Sequence, residues 1–187
     1  MNRLSVEEYR ESEKMPLVVV LDHVRSLYNV GSVFRTSDAF RVSLVCLCGI
    51  TARPPHPEIH KTALGAEDSV DWKYFERTED CITWLKEQGY KVLAIEQCEG
   101  STLLNSKFLD EPSVTSAERK IKNSKYAVVL GNEVKGVQQQ VVDMCDGCLE
   151  IPQYGTKHSL NVSVTAGIVI WELFKAILPQ PDGRHAQ

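Results

Sequence analysis

Short apolar runs alternate along this chain with amphipathic stretches of about ten residues. The first run, residues 17–22, is continuously apolar and ends in an acid, which is typical of a strand buried on both faces of a parallel sheet. Five further segments have the character of strands, namely residues 42–50, 70–75, 90–96, 126–131 and 148–152. Because helical patterns separate most of them, we predict an α/β fold with a six-stranded, mainly parallel sheet flanked by helices.

The segments between these runs have patterns that are typical of helices. Residues 5–8 read Ser-Val-Glu-Glu, a capping box that predicts a short helix through about Ser12. Residues 23–31 are predicted to be a polar loop, followed by a helix with one apolar face. That face carries Val30, Val33, Phe34, Ser37 and Phe40. Further helices are predicted at 60–66, where Gly65 is expected to stop the helix, at 79–88 and at 137–144. An irregular connection is predicted at 100–124.

The stretch 151–173 ends in a segment that is apolar nearly all round. Such a helix is either central to a core or buried against a second subunit. Its first turn is polar, with Ser159, Asn161 and Ser163 beside backbone N–H groups that a helix leaves unpaired. These groups could bind a polar ligand. The alternative is that Ser159 only caps the helix.

Arg35 and Asp38 share one face of the helix that follows the first strand. They could form an exposed ion pair, which would contribute little to stability. Arg35 could instead be presented at the carboxyl end of the sheet, where open α/β sheets bind ligands. The spacing of the two residues leaves both interpretations open.

Length and composition fit one domain, since 187 residues with 43% hydrophobic content can bury a sizeable core. The net charge of −4 argues against a protein that coats nucleic acid indiscriminately, although a local basic face remains possible between residues 22 and 61.

No run is long enough to cross a membrane, so no membrane association is expected. Six cysteines without an export signal predict reduced thiols in a cytoplasmic protein. Cys145 and Cys148 have CxxC spacing but lack two further ligands, so no metal site is predicted.

The glycine loops exclude two common nucleotide sites. The chain has no G-x-G, so the dinucleotide fingerprint is missing. Gly131 and Gly136 have the spacing of a P-loop, but Val137 and Gln138 stand where that motif needs lysine and a hydroxyl residue. What remains is a glycine turn with Glu133 near its start, or simply the end of a strand and the start of a helix.

Three sequence blocks together resemble a known family. They are NVGSVFRT at 29–36, LGNEVKG at 130–136, and IP at 151–152 followed by SLNVSV at 159–164. In this order they resemble the motifs of the SpoU/TrmH branch of the SPOUT RNA methyltransferases. The segment KTALGA at 61–66 also looks like one common in the tRNA-modifying members. The resemblance covers about residues 16–178, and it is specific because the three blocks occur together.

The resemblance implies a fold and a cofactor. It implies a methyltransferase domain over 16–180, preceded by a helical extension at 1–15 and followed by a disordered tail at 181–187. The C-terminal part would form a deep trefoil knot, an exception to the usual absence of knots. S-adenosylmethionine would bind there, mostly through the backbone. The matching positions are Leu130, Gly131, Gly136, Ile151 and Leu160. The family works as a homodimer, which would give the final apolar helix its second surface.

The resemblance also implies methyl transfer to a ribose 2′-hydroxyl of tRNA, with rRNA as the other substrate. Arg35 matches the catalytic residue of the family, proposed there to act as a base once a substrate phosphate engages it. A guanidinium is essentially never deprotonated, so Arg35 could instead orient the phosphate and stabilise the developing alkoxide. The other active-site positions are Asn29, Glu133, Ser159 and Asn161. Two alternatives are a catalytically silent SPOUT-fold protein that binds RNA or cofactor, and a nucleotide-binding protein unrelated to methylation.

Overall fold

A computed structural model describes residues 4–104, 124–157 and 159–177 of the chain. Its strands are β1 (Met15–Asp22), β2 (Val42–Cys48), β3 (Trp72–Phe75), β4 (Tyr90–Ile95), β5 (Thr102–Leu103), β6 (Lys125–Leu130) and β7 (Gly147–Glu150). They form one sheet in the order β3-β2-β1-β6-β4-β7-β5, and each neighbouring pair is parallel. The predicted α/β class with a parallel sheet is therefore confirmed.

The predicted number of six strands is wrong, because the described residues form seven. The additional strand, β5, lies within the segment that was expected to be irregular. Thr102 and Leu103 are both exposed, and among the described residues they pair only with β7, so they leave no apolar pattern in the sequence. The rest of that segment, 105–123, and the expected tail at 181–187 lie outside the described residues.

Helices cover both faces of the sheet. They are α1 (Val6–Glu11), α2 (Leu27–Ala39), α3 (Pro57–Ala63), α4 (Ala66–Ser69), α5 (Thr78–Glu87), α6 (Gln139–Met144) and α7 (Val162–Ile177). Val19 and Leu21 of β1 pack in a core with α2, α3 and α7, whereas Val18 and Val20 pack in a second core with α5 and α6. Since every residue of 17–22 is buried, the prediction of a strand covered on both faces is confirmed. None of the described helices is long and apolar enough to span a membrane.

The capping box at the start of the chain is present as predicted. Glu8 N–H donates to Ser5 Oγ (3.2 Å), and Ser5 N–H donates to the Glu8 carboxylate (2.7 Å). Arg10 then donates to the carbonyl oxygen of Asp68 (2.9 Å), which joins α1 to the region of α4.

Helix α2 begins earlier than the sequence predicted. The expected loop at 23–31 ends at Ser26, whose hydroxyl accepts a hydrogen bond from Asn29 N–H (3.3 Å) and caps the helix. Gly31 does not mark a turn. A Cβ at this position would lie 2.2 Å from Thr62 Oγ1 and 2.3 Å from the carbonyl oxygen of Ile59, so the glycine lets α3 approach α2 closely.

The next helix also differs from its prediction at both ends. It begins at Pro57 rather than at His60, because proline suits the first helical position and His56 Nδ1 caps it by accepting from Glu58 N–H (3.1 Å). It ends at Ala63, and the following residue, Leu64, takes the left-handed conformation with φ of 53°. Gly65 was expected to stop the helix, but it instead precedes α4.

Helix α7 buries only one face, so it is not central to the core of this chain. Its buried residues are Val162, Ala166, Val169, Ile170, Leu173 and Ile177. On the outer side Val164 is 51% exposed and Trp171 is 46% exposed. Trp171 stacks on Phe174 (5.8 Å between ring centroids), and Phe40 at the end of α2 packs against both rings. We call Phe40, Trp171 and Phe174 the aromatic patch.

Candidate active site

The loops that follow β1, β6 and β7 leave the sheet at the same edge, because the strands are parallel. In the register of β1 with β6, Leu21 lies opposite Leu130, so the segments 22–26 and 131–136 start side by side. The N-termini of α2 and α7 lie close to these segments, since side chains join them directly. This is the edge at which open α/β sheets bind ligands.

Glu133 anchors the N-terminus of α2. Its carboxylate oxygens accept hydrogen bonds from the backbone N–H groups of Arg25 and Ser26 (both 3.0 Å) and from Asn29 Nδ2 (3.1 Å). Burial raises the pKa of Glu133, but these N–H donors outweigh it and hold that pKa below its usual value. Glu133 is therefore an ionised acceptor with both oxygens engaged, which suits positioning rather than proton transfer.

Asn29 extends the same set of hydrogen bonds to α7. Its Oδ1 accepts from Asn161 Nδ2 (3.2 Å). Asn161 Oδ1 in turn accepts from the backbone N–H of Ser163 (2.9 Å) and from its hydroxyl (2.6 Å). Asn161, and not Ser159, therefore caps α7. Glu133, Asn29 and Asn161 form what we call the polar network, and it contains one residue from each of the three sequence blocks.

The glycine turn after β6 is closed by its own backbone. Asn132 and Gly136 exchange two backbone hydrogen bonds (3.0 and 2.9 Å). A Cβ at Gly131 would lie 2.1 Å from the carbonyl carbon of Gly136 and 2.2 Å from the nitrogen of Val137. Residue 131 must therefore be glycine for the turn to close.

Two side chains hold this turn in place. Asn132 Oδ1 accepts from the N–H groups of Val134 (2.9 Å) and Lys135 (3.2 Å), while its amide donates to the carbonyl oxygen of His23 (2.8 Å). Glu96, just after β4, accepts from Val137 N–H (3.0 Å). The backbone N–H groups of the turn are thus largely used internally, which differs from a loop that cradles phosphate.

The residues expected around the cofactor have different degrees of exposure. Leu130 is buried at the end of β6, so only its backbone can reach the sheet edge. Ile151 is half-buried after β7. Leu160, which lies next to the cap of α7, is 39% exposed.

Arg35 and Ser159 are the two predicted site residues outside the polar network. Both are exposed, and within the described chain neither side chain forms a hydrogen bond or an ion pair. Asp38 accepts a hydrogen bond from Ser69 Oγ (2.6 Å) instead of pairing with Arg35. The interpretation of Arg35 as half of a surface ion pair is therefore wrong, and its guanidinium is available to a ligand.

A buried polar contact beneath the site was not predicted from the sequence. Asp22 is fully buried, and its Oδ1 lies 2.8 Å from His23 Nδ1 and accepts from Thr78 Oγ1 (2.5 Å). His23 has a φ of 55°, a conformation that costs energy for a residue other than glycine. The carbonyl oxygen of His23 also accepts from the side-chain amide of Asn132. The contact between Asp22 and His23 therefore fixes the loop just before the backbone N–H groups that bind Glu133. The sequence feature that could have predicted this contact is an acid at the end of a buried strand, followed directly by a histidine.

No group of three His, Cys, Asp or Glu side chains among the described residues is placed to hold a metal ion. Cys145 and Cys148 instead donate to the carbonyl oxygens of Val141 and Glu96, both at 3.2 Å.

The chain is similar to known RNA methyltransferases. The family model described as SpoU rRNA Methylase family matches residues 16–171. The chain is 28% identical over 172 residues to a 23S rRNA (guanosine-2'-O-)-methyltransferase of Neisseria meningitidis serogroup B, covering 91% of this chain and 63% of that protein. It is 27% identical over 170 residues to a tRNA (guanosine(18)-2'-O)-methyltransferase of Aquifex aeolicus, covering 89% of this chain and 72% of that protein.

A solved structure is similar as well. The AdoMet-bound rRNA methyltransferase of Sinorhizobium meliloti matches with a TM-score of 0.74 at 26% identity, over 91% of this chain and 61% of that one. The chain thus spans less than two thirds of the Neisseria and Sinorhizobium proteins.

Proposed function

The chain belongs to the SpoU rRNA Methylase family, and on that premise we propose that it transfers a methyl group from S-adenosylmethionine to a ribose 2′-hydroxyl of RNA. The observation that carries the proposal is the polar network, in which Glu133, Asn29 and Asn161 join the three sequence blocks at the ligand-binding edge of the sheet. The names of the Neisseria and Aquifex relatives both specify 2'-O methylation of guanosine, which supports ribose as the acceptor.

We propose tRNA as the substrate, with rRNA as the alternative. The support is the segment 61–66, which resembles tRNA-modifying members and lies against the start of α2. Thr62 Oγ1 donates to the carbonyl oxygen of Tyr28 (2.9 Å), one residue before Asn29. Relatives of both kinds exist, so the two RNAs must be compared directly.

The site fits S-adenosylmethionine better than a nucleotide phosphate. This cofactor has no phosphate, and the glycine turn uses its N–H groups internally. Two apolar side chains of this region are exposed to solvent. Val134 in the glycine turn is 77% exposed, and Leu160 next to the cap of α7 is also exposed. We propose that the backbone at Leu130, Gly131 and Gly136, with Ile151 and Leu160, would hold the cofactor, in a trefoil knot of the kind the family resemblance implies. When bound, the sulfonium group supplies an electrophilic methyl group.

The protein side chains then have to prepare the ribose oxygen. A hydroxyl is a poor nucleophile until its proton is drawn away, and it must be aligned with the methyl group. Arg35 is exposed and has no partner among the described residues, so its guanidinium can bind the substrate phosphate and stabilise the developing alkoxide. Asn29 and Asn161 are oriented by Glu133 and the α7 cap, and with the exposed Ser159 they would position the ribose.

We expect calorimetry to detect binding of S-adenosylmethionine and S-adenosylhomocysteine but not of ATP or NAD. The reason is that the site lacks both phosphate-binding glycine patterns and closes its one glycine turn through its own backbone. Tight binding of ATP, with no heat from either methionine-derived ligand, would remove the cofactor from the proposal.

We also propose a homodimer that buries the outer side of α7. The aromatic patch and Val164 leave a continuous apolar surface on this helix, which is typical of an interface. Trp171→Lys should convert a dimer into a monomer in light scattering, because it places a charge in that surface. Trp72→Lys is the matched control, since Trp72 is 37% exposed on the edge strand β3. A wild-type protein that is monomeric at micromolar concentration would contradict the dimer.

A further inference from the structure

Tyr28 is an exposed aromatic residue at the entrance to the site. It is the second residue of α2, directly before Asn29 of the polar network, and 48% of its surface is exposed. A large aromatic ring gains little by facing water at this position. Its place beside the predicted ribose site therefore calls for an explanation.

Helix α3 packs beside Tyr28. The carbonyl oxygen of Tyr28 accepts from Thr62 Oγ1 (2.9 Å), which fixes the backbone at this position. Glu58 and Lys61 of the same helix pair with each other (2.5 Å), and the Glu58 carboxylate raises the pKa of Tyr28. The exposed ring of Tyr28 therefore projects from a fixed backbone beside a pair of opposite charges.

Tyr28 and Arg35 lie on the same face of α2. They are seven residues apart, which is two turns of the helix and about 10 Å along its axis. Both are exposed, and Arg35 has no partner among the described residues. One helix face therefore presents an exposed aromatic ring and a guanidinium without a partner among the described residues in line, with Asn29 next to the tyrosine in the chain.

The charges next to the ring suit a nucleic acid strand. Lys61 on α3 is an exposed cation near Tyr28, where it pairs with Glu58, and Arg35 on α2 adds a cation that has no partner among the described residues. Proteins that bind single strands combine positive charge for the backbone with aromatic rings on which bases stack. The arrangement on α2 and α3 has both components.

We propose that Tyr28 is a stacking platform for a nucleobase of the RNA substrate, next to the nucleotide whose ribose lies at the polar network. The proposal rests on the proposed function for the identity of the ligand as RNA. It assigns to Tyr28 a role in binding the substrate and no part in the transfer step. Thr62 holds the backbone carbonyl of Tyr28 and makes no contact with the base in this proposal.

The test compares Tyr28→Ala, which removes the ring, with Tyr28→Phe, which keeps it and removes only the hydroxyl. Affinity for unmodified RNA is measured by filter binding in saturating S-adenosylhomocysteine. Loss of one stacked base should weaken binding roughly 5- to 150-fold for Tyr28→Ala, whereas Tyr28→Phe should stay close to wild type. Trp72→Ala is the control for loss of an exposed ring, because Trp72 lies on the edge strand β3, which β2 separates from β1.

Cross-linking separates this inference from the proposed function. RNA that contains 5-bromouridine is irradiated with the wild-type protein, and the modified peptide is identified by mass spectrometry. A cross-link at Tyr28 without any methyl transfer would support the platform and overturn the proposed function. Normal methyl transfer with unchanged RNA affinity in Tyr28→Ala would overturn the platform alone. A change in oligomeric state in Tyr28→Ala without a change in RNA affinity would also overturn it, since the ring would then face a second copy of the chain.

Discussion

Replacing Arg35 with alanine should lower the rate of methyl transfer by roughly a hundredfold or more, the effect of removing one donor to a developing oxyanion. The melting temperature and the affinity for S-adenosylhomocysteine should barely change. Arg35 is exposed and makes no hydrogen bond or ion pair with the described residues, so its removal breaks no contact that stabilises the fold. The measurement is transfer of labelled methyl groups to RNA under saturating cofactor.

Two further variants show whether the effect belongs to this guanidinium. Arg35→Lys keeps the positive charge but loses the planar fork, so it should restore little activity. Arg77→Ala removes another exposed arginine, which precedes α5 on the other face of the sheet and pairs only loosely with Glu79 (3.6 Å). It should act like wild type. If Arg35→Ala retains most of the wild-type rate, the assignment of Arg35 to the active site is wrong.

Gly131→Ala should disrupt the cofactor site and lower stability together. The added Cβ would meet backbone atoms of Gly136 and Val137 at 2.1 and 2.2 Å, and backbone atoms cannot rotate away as a side chain can. The turn would have to open, at a cost of about 1–3 kcal/mol in the free energy of unfolding. Affinity for S-adenosylhomocysteine should fall roughly tenfold or more. Thermal unfolding and calorimetry measure the two effects.

Gly155→Ala is the matched control for this substitution. Gly155 is exposed in the loop after β7, its φ lies outside the left-handed region, and a Cβ there would meet no atom within 4 Å. Alanine should therefore leave the melting temperature unchanged or raise the free energy of unfolding by up to about 1 kcal/mol. Unchanged cofactor affinity and melting temperature in Gly131→Ala would show that the cofactor does not depend on the closed turn.

Sequence patterns predicted correctly those elements whose hydrophobic pattern lies wholly within the element itself. β1 was predicted correctly because a strand buried on both faces must be apolar throughout. β5 was missed because its two residues are exposed and depend only on pairing with β7. The start of α2 was misplaced because Gly31 looks like a loop residue, whereas its reason is the close approach of Thr62 from another helix.

For the site, the motif resemblance named residues but could not predict their contacts. Asn29 lies more than a hundred residues before both Glu133 and Asn161 in the chain. The three residues meet because β6 pairs with β1. The spacing of Arg35 and Asp38 allowed an ion pair, but Ser69 competes for Asp38 from a different helix. Contacts of this kind depend on tertiary structure and leave no local pattern.

The central claim is transfer of a methyl group to a ribose oxygen, and product mapping tests it most directly. The protein is incubated with S-adenosylmethionine labelled in its methyl group and with unmodified tRNA or rRNA, and the RNA is then hydrolysed in alkali. A 2′-O-methyl group blocks cleavage at its own nucleotide, so we predict that the label is recovered in alkali-stable dinucleotides from tRNA. Recovery of the label on a nucleobase, or no label in either RNA from protein that binds the cofactor, would contradict the account.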